Sequence, residues 1–60
     1  PQNPGNDRVL LLLGNINEQM NRPKQAQEYY LNLIRTYSDS FYLEEARQRA
    51  RALQETAGRE

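Results

Sequence analysis

At 60 residues the chain holds at most one domain, and chains of this size bury only about 60% of the surface their unfolded form exposes. With no Cys and no His, disulfide staples and Cys/His zinc sites are excluded, so stability must come from helix packing, against itself or against neighbours. Hydrophobic residues make up 37% and charged residues 27%, and eight basic side chains balance eight acidic ones, four of each sign on either side of a cut after Ser40; this fits a thin helical piece and argues against a phosphate-binding basic face.

Pro1-Gln2-Asn3-Pro4-Gly5-Asn6 has two prolines, a glycine and no apolar anchor, which predicts a disordered linker over residues 1–6. Asn6 or Asp7 can then cap a first helix. Val9, Leu13, Ile16 and Met20 recur at spacings of four, three and four, the stripe of a helix over about Asp7–Asn21. Leu10, Leu11 and Leu12 fill the rest of its circumference at the start, which predicts a helix sandwiched between neighbours. Asn21-Arg22-Pro23 ends it, because Pro disfavours helix in the residue before it and suits the first turn of the next helix.

Ala26, Tyr29, Tyr30, Leu33, Ile34 and Tyr37 follow the i, i+3, i+4, i+7, i+8, i+11 pattern, giving a second helix over about Pro23–Tyr37. Ser38-Asp39-Ser40 breaks it and offers an N-cap at Asp39 or Ser40 for a third helix beginning near Phe41, over about residues 40–56. That helix has a stripe of mostly small residues, Tyr42, Ala46, Ala50, Leu53 and Ala57. Such a stripe can cover a neighbour without forming a core. Glu44 and Glu45 suit its N-terminal end, Glu45 can pair with Arg49, and Gly58 stops it, leaving 58–60 frayed. The expected architecture is all-α: a hairpin of antiparallel helices plus a capping helix.

Leu13-Gly14, Ala26 twelve residues after that Gly, and Tyr30 four further on carry a resemblance. The chain resembles the tetratricopeptide repeat, whose period of 34 residues would span about Asp7–Ser40, with the third helix placed where a next repeat starts. Small residues at Gly14 and Ala26 let the helices approach, and Tyr30 fills the space beside them. The segment from Tyr37 to Ala46 is similar to the Tyr-Pro-Asp-Ser-Pro-Tyr-Ala-x-x-Ala stretch of bacterial envelope repeats of the outer-membrane assembly and Tol-Pal type, with Ser38 and Phe41 in place of the two prolines. That likeness implies a periplasmic or envelope location.

Repeats of this kind bury their apolar faces by stacking, so the leucine-rich start of the first helix implies a missing surface, met by an upstream repeat or by another copy. The chain begins with Pro1 rather than Met, as expected of an excised or processed segment. The resemblance further implies a protein or peptide partner bound in a groove lined by Arg8, Leu11, Asn15, Glu18 and Gln19. Asn15, directly after Gly14, matches an Asn that holds a peptide backbone or terminal carboxylate in some members. The Lys expected four residues earlier is Leu11, which favours an apolar or extended peptide.

Catalysis finds no support in the residues: Thr36, Ser38, Ser40 and Thr56 have no base, and adjacent Glu44 and Glu45 point about 100° apart on a helix. No phosphate loop, zinc spacing or calcium loop is present. The expectation is a binding scaffold with no enzymatic activity, no cofactor and no metal. Self-association through the first helix is the alternative, and a small nucleic-acid-binding domain using Arg47, Arg49 and Arg51 a lesser one. The longest apolar run, five residues, is far short of the ~20 that span a membrane, and no signal-peptide pattern appears.

Overall fold

A computed structural model of the chain describes residues 5–58, with side chains as far as residue 55. Residues 1–4 of the expected linker and residues 59–60 of the expected frayed end lie outside the described residues, as do the side chains of residues 56–58; Gly58, expected to stop the third helix, is its last described residue. The described chain forms three helices, α1 (Asn6–Gln19), α2 (Pro23–Thr36) and α3 (Leu43–Gly58). α2 lies in the middle and packs against both others. The all-α hairpin with a third, covering helix follows the pattern read from the sequence.

The start of α1 differs from expectation. Gly5 occupies the N-cap with φ 94°, a left-handed conformation that favours glycine. Asn6 therefore opens the helix instead of closing a linker, and neither Asn6 nor Asp7 caps it. Asp7 sits inside the first turn, where Oδ1 accepts the Arg8 N–H at 2.8 Å and Oδ2 accepts the Ser40 hydroxyl at 2.5 Å. Thirty-three residues apart, Asp7 and Ser40 thus tie α1 to the loop leading into α3.

α1 ends at Gln19, two residues short of the expected Asn21. The cause lies ahead of Pro23: Asn21 takes φ 61°, its N–H reaches the Glu18 carbonyl at 3.0 Å, and the Arg22 N–H reaches the Asn17 carbonyl at 2.8 Å. This paired closure with a left-handed Asn is the Schellman arrangement, which satisfies two of the last carbonyls of the helix. Pro23 then opens α2, where its missing N–H costs nothing, and the Arg22 carbonyl accepts the Ala26 N–H at 3.0 Å.

The α2 stripe is buried as its periodicity requires except at Tyr29, which is half-buried and does not join the core. Ala26, Tyr30 and Leu33 are fully enclosed, and Ile34 and Tyr37 pack against them. From α3, Ala46 and Ala50 enter the same core, with Tyr42 and Leu53 at its border. α3 starts at Leu43, later than the Phe41 expected, because residues 41–42 form a turn. Ser40 is the residue that organises the entry: its Oγ accepts the Tyr42 N–H at 3.0 Å while its carbonyl accepts the Leu43 N–H at 3.1 Å. Phe41 stays exposed and stands edge-on to the Tyr42 ring, centroids 5.4 Å apart.

α1 meets α2 through Leu11, 6% exposed, and Gly14, not through the Val9–Leu13–Ile16–Met20 stripe. The crossing is close. A Cβ on Gly14 would lie 2.4 Å from Tyr30 Cε1 and 2.6 Å from Cζ, whereas carbon atoms normally pack at about 3.5–4.0 Å. Gly14 and Ala26 are small because the helices touch there, and Tyr30 fills the contact.

Candidate functional site: the cleft between the first and third helices

A helix places residues three and four apart on one face. Asn15, Glu18 and Gln19 therefore project from α1 on the side where α3 passes, and with Arg49 of α3 they line an open cleft of about 200 Å³. Of the five groove residues expected from the resemblance, the cleft gathers these three. Arg8 is exposed and stands apart from it. Leu11 is placed otherwise: its side chain turns into the α1–α2 core, because it shares the inward face of α1 with Gly14 and Glu18.

Tyr30 holds two of these side chains from behind. Its ring is buried against Gly14, and its hydroxyl lies 2.5 Å from Glu18 Oε1 and 2.6 Å from Asn15 Oδ1. A phenol carries one proton and serves one acceptor at a time; an Asn15 amide turned over lets its nitrogen donate, so that both contacts stand. Burial raises the Tyr30 pKa above the ordinary range, and the Glu18 hydrogen bond and charge push the same way. The hydroxyl remains a neutral donor that fixes the Glu18 carboxylate.

Glu18 also meets Arg49 at 3.7 Å, an ion pair bridging α1 and α3. Arg49 thus turns to α1 instead of pairing with Glu45 on its own helix. The pair is loose, and the Arg49 side chain is half exposed, so it contributes about 0–1 kcal/mol and can open to a ligand. The cleft presents two amides, one carboxylate and one guanidinium, groups that can both donate and accept hydrogen bonds.

Arg49 is the site residue that sequence reasoning did not place here. Its expected companions in a basic cluster are split by the helix: Arg47 and Arg51, four apart, share one face, and Arg49 projects from another. The spacing of Arg49 three residues after buried Ala46 was the signal that it borders the packed face. Family models, curated proteins and solved structures give no match to this chain.

Asp7, Ser38, Asp39 and Ser40 surround a depression beside the α2–α3 loop, and there the Ser40 hydroxyl holds the Asp7 carboxyl below its ordinary pKa. Among the described residues no group of three or more carboxylates, His or Cys is placed to hold a metal ion. No helix is long and apolar enough to cross a membrane among the described residues.

Proposed function

We propose that the chain is a protein–protein interaction module, a tetratricopeptide-like hairpin followed by the first helix of a next repeat, that binds an extended peptide in the cleft between α1 and α3. The observation that carries the reading is the convergence of Asn15, Glu18 and Gln19 of α1 with Arg49 of α3 on one open cleft. The close α1–α2 crossing at Gly14, Ala26 and Tyr30 supports the family likeness. Catalysis has no place in this reading, and the bacterial envelope is proposed as its setting on the likeness of residues 37–46 alone. Splitting of the arginines weakens the nucleic-acid alternative.

The test is selection of binders from a displayed library of random peptides, followed by anisotropy titration of each with the wild type and with the Gln19→Ala and Arg49→Ala variants. Both side chains are exposed, so neither change disturbs the core. Weakening of tenfold or more in either variant is expected, the order of one lost charge-assisted hydrogen bond. Unchanged affinity in both variants would refute the cleft as the binding site.

A further inference from the structure

The outer face of α1 is the one large apolar helix surface that the described fold leaves bare. Val9 is 50% exposed, Leu12 46%, Ile16 53% and Met20 54%, and Leu13 between them is half-buried. The spacing of Val9, Leu13, Ile16 and Met20 is that of a heptad seam, the pattern with which one helix packs along another. Two heptads are too few for an isolated coiled coil. Here, however, α1 is packed along α2.

No charge lies on the seam. Asp7 and Glu18 are turned inward to Ser40 and Tyr30, and Asn17, on the border, donates its amide to the Leu13 carbonyl at 2.8 Å. Arg8 alone stands at the edge. The exposed faces of the other helices offer no match: α2 carries Lys24, Glu28 and Arg35 outward, and α3 carries Glu44, Arg47, Gln48, Arg51 and Glu55. A head-to-tail stack of copies would press these charges onto the apolar seam. Among the described helix faces, the seam alone is apolar enough to lie against the seam.

We infer that a second copy of this chain covers the outer face of α1, in an isologous antiparallel pairing of the two α1 helices. With the two-fold axis between Leu13 and Ile16, Leu13 lies against Ile16 of the second copy and Val9 against its Met20, a small residue facing a long flexible one at each end. Met20 of each copy then reaches the mouth of the groove of about 380 Å³ that Val9 and Leu10 form with Asn32 of α2 and Tyr37 just beyond it. The antiparallel sense sets opposite helix dipole ends side by side and keeps the two Arg8 side chains apart. Covering the patch takes about a tenth of the 4716 Å² surface of each chain, roughly 900 Å² in total, which belongs to the class of weak, reversible complexes.

Sedimentation equilibrium from about 10 µM to about 1 mM tests the pairing over the range such an interface implies. The expected result is a mass rising from 7.1 kDa towards twice that value. Ile16→Glu should weaken the association by at least tenfold at unchanged helical circular dichroism, and Gln48→Glu, on the exposed face of α3, should leave it intact. Should Ile16→Glu unfold the chain, oxidation of a Val9→Cys, Met20→Cys double variant decides instead: the pairing predicts a covalent dimer, and Met20→Cys alone should give none. A mass of 7.1 kDa throughout, association that survives Ile16→Glu in a folded chain, or a failure of the double variant to cross-link would overturn the inference. A persistent monomer would leave the seam to a helix from a different protein.

Discussion

Replacing Gly14 by Ala sets two opposed effects against each other at one position. In the interior of an isolated helix, Ala is more favourable than Gly by about 1 kcal/mol. In this fold the added Cβ would lie 2.4, 2.6 and 2.8 Å from three carbons of the Tyr30 ring, so ring or helix must retreat by about 1 Å to reach ordinary contact. Tyr30 is fully buried, and its hydroxyl is anchored to Glu18 and Asn15, so retreat strains the core and stretches both hydrogen bonds. Overpacking costs about 1–3 kcal/mol, and weakened bonds to the hydroxyl about 1 kcal/mol more. The net effect is a loss of about 1–3 kcal/mol, out of roughly 3–9 kcal/mol for a domain of this length. Thermal unfolding followed by circular dichroism should show Tm falling by about 4–8 °C per kcal/mol. In a Tyr30→Leu background, which removes the ring, the same substitution should cost less or stabilise. A Gly14→Ala variant more stable than the wild type would refute the close crossing, since helix propensity would then be acting unopposed.

Three other perturbations follow from the same contacts. Tyr30→Phe should lower stability by about 1–2 kcal/mol near neutral pH in urea titration. Because the folded-state pKa of Tyr30 is raised, its contribution is complete below about pH 10 and is lost as pH rises beyond, so the variant and the wild type should converge in alkaline solution. Ser40→Ala removes the Tyr42 N–H acceptor and the Asp7 contact, costing about 1 kcal/mol through the cap. The Asp7 pKa is lowered in the fold, so the Asp7–Ser40 contact contributes above about pH 4 and fades as pH falls through the lowered value, while the cap does not titrate; the deficit of the variant at pH 7 should shrink in acid only by the share of that contact. Asn21→Gly should be neutral or slightly stabilising, whereas Asn21→Val should cost about 1–2 kcal/mol, because φ 61° is strained for a β-branched residue. Equal effects of Gly and Val would argue that the Schellman closure does not hold α1.

Much of the fold was legible in the residues. The α2 stripe from Ala26 to Tyr37 is unbroken, and a single neighbour on each side buries it, Tyr29 apart, as its periodicity demands. The role of Gly14 could also be read, since small residues opposite a bulky one signal close approach. The facing of α1 could not. Periodicity states which residues share a side of a helix but not which side meets the protein, and α1 carries one apolar side at Val9–Leu13–Ile16–Met20 and another at Leu10–Leu11. The side with Glu18 and Asn15 looks solvated in the sequence and turns inward because the Tyr30 hydroxyl supplies a partner for both. That same contact explains why Leu11, counted with the groove, lies in the core. Arg49 entered the cleft unseen because the crossing of α1 and α3 depends on how both dock on α2, a tertiary relation absent from local spacing.

The central claim, that this is a binding module whose ligand lies between α1 and α3, is tested most directly by amide shift mapping of the ¹⁵N-labelled chain titrated with a selected peptide. The account predicts shifts concentrated on Asn15, Glu18, Gln19 and Arg49, saturating with the bound fraction. Shifts confined to Val9, Leu12, Ile16 and Met20, or spread evenly over the surface, would contradict it.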